Sequence, residues 1–506
     1  MRKFNPFFLS VFLLLVNGSF AQEFKPDSLR IKGDVERLAA TEMGGRGIDD
    51  SSYFLAAEFI AKRLFDLGAE TLKPSAEVAS EWSDFWVPVP MRREKLNKVE
   101  LTLGGVKLKF GKDFYTNRSF EEPIFADKSM AFVPEKLLET VKPGAFTGKI
   151  VLYIRSNVKG KKSPTPREIS RVLQKTNARA VFIVDYDYPK NTTEIITRLL
   201  EARTTLDNKR QLANGVTLET SSNPTVVMLS PAAAKKAFKK SGFKWNSESD
   251  RTSVENVEMV SVPVQLKAEV SKFPVDYPNV AGVFKGGKNP TNYVVVSAHL
   301  DHLGTHFGKM YPGADDNGSG SATLLELARL YAERRTAGLG SDNTVIFLWF
   351  TGEESGLLGS QYFVEHAPIP VDRILANLNV DMIGRADASH KVDQPYLYLV
   401  GSDKLSTELH RLSEEVNNDC CQIELDYTYN DPADPHRYYY RSDHYNFAKN
   451  GIPCIFYFSG VHADYHQPSD TADKLDYQRI ARNAQLIFET SLRISNLEAP
   501  FKLDVK

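Results

Sequence analysis

Groups of metal-ligand and acid–base residues recur through the second half of this chain: His299-Leu300-Asp301, Asp315-Asp316, Glu353-Glu354, Asp381 and His466. Imidazole and carboxylate are the groups that hold zinc and similar divalent cations. Adjacent glutamates would repel unless something positive stabilises one of them, and neighbouring side chains point in different directions. One of the pair can bind metal while the other handles protons. The set reads as a single two-metal hydrolytic site.

Positioning such residues requires strands that end at a common edge. The run 293–298 (YVVVSA) is apolar and β-branched and is followed directly by His299. A second run, 344–350 (TVIFLWF), leads through the Thr351-Gly352 turn to Glu353 and Glu354, and a third, 374–380 (ILANLNV), ends on Asp381. Short continuous runs suit strands buried on both faces of a parallel sheet, and helical stretches such as 322–335 lie between them. The expected fold is α/β, a doubly wound, mostly parallel mixed sheet flanked by helices. Ligands in such sheets bind outside the carboxyl ends of the strands.

Within that frame each group has a local logic. Strand alternation puts His299 and Asp301 on the same side, where Asp301 can orient the histidine. The glycines of 312–320 (PGADDNGSG) allow the backbone to approach closely at a helix start near Ser321, so that a short aspartate reaches inward. Asp316 is the candidate for a carboxylate shared by two metals, and Asp315 the second choice. His466 follows the last strong strand, 452–458. His462 and His444 compete with it, and spacing does not choose among the three.

Composition narrows the class. A chain of 506 residues exceeds one typical core, so more than one domain is expected. A formal net charge of -1 provides no strong field for nucleic acid or anionic lipid, and neither partner is expected. Arg2 and Lys3, the apolar stretch 7–16 and the small residues Ser19 and Ala21 make residues 1–21 a signal peptide cut before Gln22. No later run approaches the ~18 apolar residues of a membrane span, so the mature protein is expected to be exported, periplasmic or secreted, with no membrane attachment. Cys420 and Cys421 are poorly placed to pair with each other, one bond to Cys454 can form, and free buried cysteines are the favoured reading.

Along the mature chain, residues 22–90 and 266–506 read as one catalytic domain split by an inserted α/β unit, 91–265. Residues 29–69 have helical spacing, with Ser51 or Ser52 as cap and a turn-rich link at 42–47. The insert carries strand-like runs at 149–154 and 178–184 around a helix at 167–177, and its basic run 159–167 reads as a solvated loop.

Taken together, SAHLD (297–301), GADDNGSG (313–320), TGEESGLLGS (351–360), NVDMIG (379–384), RSDH (441–444) and YH (465–466) resemble the di-zinc aminopeptidase family related to aminopeptidase Y and the glutamate carboxypeptidases. The insert resembles a protease-associated domain. The resemblance implies two Zn2+ per chain: His299 and Asp381 on one, Glu354 and His466 on the other, Asp316 bridging. It also implies Asp301 behind the ligands, Glu353 as general base, and Tyr465 as donor to the oxyanion. Arg441 and Tyr440, in the Tyr-rich stretch 436–441, are the candidates for binding substrate. The expected activity is removal of N-terminal residues from peptides. A carboxypeptidase would need more arginines than Arg441, a glutaminyl cyclase commonly works with one zinc, and a non-catalytic peptide-binding protein need not keep the ligands.

Overall fold

The computed structural model describes residues 24–48, 52–72, 79–117, 124–155, 164–207, 224–243, 256–306 and 308–505. The signal-peptide reading and most of the basic run 159–167 lie outside them. Four mutually parallel strands, Cys454–Phe458, Ile374–Val380, Asn289–His299 and Asn343–Phe350, form the centre of a large sheet. Tyr396–Val400 adds antiparallel to Cys454–Phe458, and Glu424–Asp426 parallel to it in turn. On the other side Val264–Phe284 and then Trp86–Leu103 extend the sheet antiparallel. The fold is thus the mixed α/β sheet that the three apolar runs predict.

Alternation along the strands assigns the two faces. Val294, Val296 and Ala298, with Val345, Phe347 and Trp349, pack into one core with residues of the helices Ser28–Leu38, Tyr53–Asp66, Gly320–Thr336 and Tyr477–Ser495. Val295, Ile346, Leu348 and Phe350 face the other way, onto Phe363 of Leu358–His366 and Phe447 of His444–Ala448. Both faces are covered, which is why the central strands carry no polar alternation. Their carboxyl ends, at His299, Phe350, Val380 and Phe458, lie along one edge.

The segment between the halves forms a second sheet with cores of its own. Its strands run in the order Glu258–Val260, Met130–Val133, Ile150–Ile154, Ala180–Val184, Thr225–Leu229, Phe114–Thr116, the middle four parallel. Separate apolar clusters cover its two faces. The positions near 90 and 265, where composition changes, fall inside the continuous strands Trp86–Leu103 and Val264–Phe284 rather than in linkers.

Two local expectations are corrected. Ser52 stands at the N-cap of Tyr53–Asp66, but its hydroxyl accepts from Gly47 N–H at 2.8 Å and so closes the Gly-rich turn rather than capping the helix. Cys420 and Cys421 form a disulfide with each other, while Cys454 is free and buried in its strand. The helix Thr407–Cys420 ends at this pair, and Cys421 and Gln422 leave it in non-helical conformations. The adjacent thiols are thereby freed from the helical geometry that holds neighbouring side chains apart.

Candidate metal centre

The histidines and carboxylates at the strand ends converge. His299 Nε2 lies 3.3 Å from Asp316 Oδ1 and 3.3 Å from Asp381 Oδ1. His466 Nε2 lies 3.1 Å from Asp316 Oδ2 and 3.1 Å from Glu354 Oε2. Asp316 therefore presents one oxygen to each histidine, and each histidine has a further carboxylate of its own. The donor chemistry fits two divalent cations of zinc type: nitrogen and oxygen ligands, a shared carboxylate, and room for other ligands on the cleft side.

Hydrogen bonds around this set fix its rotamers. His299 Nδ1 donates to the Asp301 carbonyl at 3.0 Å; since a carbonyl only accepts, Nδ1 carries a proton, and Nε2 is the nitrogen turned toward the carboxylates. The Asp301 carboxylate acts elsewhere than the strand alternation implied. It accepts the backbone N–H of Glu353 at 3.1 Å and of Glu354 at 3.4 Å, holding the Glu-Glu turn. Ser442 Oγ donates to Asp381 Oδ2 at 2.7 Å. Asp470, four residues beyond His466, accepts from the N–H groups of Asp315 and Asp316.

The turn Ala314–Ser319 is locked to its neighbours by its own side chains. Asn317 Nδ2 donates to Val380 O at 2.9 Å, and Ser319 Oγ accepts from Ile383 N–H at 3.2 Å. A Cβ on Gly320 would lie 2.4 Å from Val380 O, so only glycine permits this approach to the strand that ends at Asp381.

Arg46, in the turn-rich link, is buried completely and was not anticipated from sequence. Its guanidinium donates to the carbonyls of Leu300, Leu38, Pro312 and Gly313 at 2.7–2.9 Å. It thus ties the loop after His299 to the loop before Asp316. Burial lowers its pKa to about 10, with Asp316, Asp470 and Asp301 opposing that shift, so it remains a cation. Arg46→Met is expected to leave these carbonyls without donors at about 1–3 kcal/mol each. A loss of at least about 4 kcal/mol in denaturant unfolding should result, and a loss below about 1 kcal/mol would mean that relaxation re-satisfies them.

A second residue missed from sequence is His302. Its Nδ1 lies 2.8 Å from Glu354 Oε1, so Glu354 is held between His302 and His466. Its place directly after the His299–Asp301 motif was the available signal. The competing residues lie elsewhere: His462 Nε2 is 3.2 Å from Asp315 Oδ2, behind the site, and His444 stacks on Phe456, where burial lowers its pKa to about 3. Arg441 and Tyr465 line the cleft, with Arg441 Nη2 donating to the Tyr465 hydroxyl at 3.3 Å. Tyr440 does not line it. The turn Tyr438–Tyr440 directs Tyr438 into the cleft, while Tyr440 is 45% exposed and packs under Arg437.

The site is strongly acidic. Burial raises Glu353 well above the ordinary carboxylate range, and the charges of Glu354, Asp443 and Asp381 add to this. Burial and Asp316 push Glu354 upward as well, but His302 and His466 hold it down at about 2. Burial opposes the charged form of His466, yet Asp316 and Glu354 lift it to about 10. Such a pocket is poised for added positive charge.

Comparisons with known proteins agree with this chemistry. A model of peptidase family M28 matches residues 279–491. A probable leucine aminopeptidase of Arthroderma otae is 32% identical over 262 residues, covering 49% of this chain and 68% of that protein. A probable zinc metalloprotease of Pyricularia oryzae is 28% identical over 284 residues, covering 47% and 54%. The chain thus spans about two-thirds of the first relative's length and about half of the second's. Among solved structures, an aminopeptidase from Aneurinibacillus sp. strain AM-1 has a similar fold, with a TM-score of 0.54 at 18% identity over 95% of this chain and 96% of that one.

Proposed function

The chain belongs to peptidase family M28, a group of metallopeptidases, and we propose that it is an exported, zinc-dependent aminopeptidase that removes N-terminal residues from peptides. The observation that carries this reading is the division of Asp316, one oxygen to His299 and the other to His466, with Asp381 and Glu354 completing the two halves. Two zinc ions held by these five residues would supply Lewis acidity, polarising the scissile carbonyl and acidifying water. Asp301 and His302 act as supports, the first through the Glu-Glu turn and the second through Glu354.

Glu353 is the general base. It lines the cleft beside the proposed ligands, and the turn held by Asp301 keeps it apart from Glu354, which suits a group that takes a proton from the attacking water and returns it to the leaving amine. Tyr465 stacks on His466, and burial keeps its phenol protonated. Because Arg441 donates to the phenol oxygen, the hydroxyl proton is left to point at the developing oxyanion. The free amine of the substrate binds among the carboxylates. Met382, Tyr438, Phe456, Phe458 and Val461 give the cleft an apolar wall, which favours an apolar N-terminal residue.

Residues 1–21 direct export, and residues 91–265 form the protease-associated-like insert. No helix among the described residues is long and apolar enough to cross a membrane.

Leucyl arylamide is the substrate that tests the reading. Chelation is expected to abolish its hydrolysis and added zinc to restore it, while the N-acetylated form should resist cleavage. Release of the C-terminal residue from N-acetylated dipeptides, with leucyl arylamide untouched, would assign a carboxypeptidase instead.

A further inference from the structure

The metal centre borders a second cavity. Apart from Glu354, which lines both, its wall is different from that of the cleft holding Tyr465 and Arg441. The catalytic part contributes Asp301, His302 and Glu354, and the other wall is Arg203, Thr204 and Thr205. These three come from strand Arg203–Leu206, which lies within the insert sequence but pairs with residues 91–94 at the edge of the large sheet. Inserted sequence therefore reaches the catalytic residues. The cavity measures about 300 Å³, at the small end of ligand sites, which run from roughly 300 to 1,000 Å³.

Charge identifies what it would take. Arg203 Nη2 is 3.7 Å from Glu94 Oε2, but that carboxylate already has Arg92 Nε at 2.8 Å and Lys272 Nζ at 3.3 Å. Asp207, 3.7 Å from Arg92, is the other acid of this group. Around Arg203 three cations share two carboxylates, while the opposite wall of the cavity carries the acidic Asp301 and Glu354; Arg203 Nε is buried with no hydrogen-bond partner among the described residues. A guanidinium with spare donors is suited to a carboxylate.

We propose that this cavity receives the residue on the leaving side of the scissile bond, and that Arg203 binds its free carboxylate. The inference rests on the aminopeptidase reading. An N-terminal residue in the apolar cleft puts the scissile carbonyl at the ligands and the next residue beyond Glu354, toward Arg203. A residue spans only about 3.3–3.6 Å of extended chain, so the terminal carboxylate of a dipeptide stays close to the metal centre. Dipeptides with a free C-terminus are the favoured substrates, and Arg203 sets that preference.

The test compares Leu-Gly, Leu-Gly amide and leucyl arylamide on the zinc-loaded full chain. Wild type is expected to show a kcat/KM for Leu-Gly about tenfold or more above that for the amide, the size of a charge-assisted hydrogen bond at a half-exposed site. Arg203→Gln should bring that ratio to within about twofold of unity and Arg203→Lys should retain part of it, since an ammonium keeps the charge but not the fork. A wild-type ratio near one overturns the proposal without any variant, and so does an undiminished ratio in Arg203→Gln. If arylamide is cleaved while the ratio is flat, only the role of Arg203 falls. If none of the three is cleaved, the aminopeptidase reading falls with it.

Discussion

Asp316→Ala is expected to remove metal and activity together. Each oxygen of this carboxylate faces a different histidine, so the substitution takes a carboxylate oxygen from both halves of the site at once. What remains is His299 with Asp381 on one side and His466 with Glu354 on the other, and neither pair alone makes a closed site. Outer partners of metal ligands already cost about 10–100-fold in affinity when removed. Loss of a shared ligand should exceed that, leaving no retained zinc after dialysis and no measurable turnover. Asp315→Ala is the control, because its carboxylate accepts from Gly384 N–H at 2.7 Å and faces His462. It should lower the melting temperature while metal is retained. Two metals per chain in dialysed Asp316→Ala would show that the bridge lies elsewhere.

The parts of this site that were legible in the sequence are those set by strand periodicity. His299 and Asp381 are read directly because an apolar run must end where it leaves the core, and that end is the ligand-bearing edge of a parallel sheet. The separation of Asp316 from Asp315 and of His466 from His462 and His444 needed the family resemblance. In each case the alternative residue proved to be buried with a different partner, information that depends on the meeting of distant segments. Arg46 illustrates the limit most clearly. Its bonds run to carbonyls as many as 270 residues away, and a backbone acceptor carries no sequence signature. Tyr440 failed for the opposite reason: three consecutive tyrosines offer no pattern to say which one a tight turn aims inward. Cys420 and Cys421 were misread because adjacency alone was taken to keep them from pairing, and residue order does not show that the backbone leaves its helix at this pair.

Glu353→Gln separates catalysis from metal binding. Asp301 holds the Glu353 backbone N–H, so the amide side chain should occupy the same place and the turn that presents Glu354 should keep its shape. His299, Asp316, Asp381, Glu354 and His466 are untouched, and zinc content should match that of the parent. The amide cannot accept a proton from water, however, nor deliver one to the leaving amine. Loss of general acid–base catalysis typically costs about 10²–10⁴ in rate, and the loss should appear in kcat with KM little changed, as expected of the transition-state role proposed for Glu353. Glu354→Gln supplies the contrast: Glu354 faces His466 and His302, so its amide should weaken metal retention as well as rate. Two adjacent residues of the same type would then show different defects, one in the proton and one in the metal. Turnover of Glu353→Gln within a few-fold of the parent, at equal zinc content, would require a different base, and Asp443, buried and raised to about 7 mainly by that burial, would be the next carboxylate to replace.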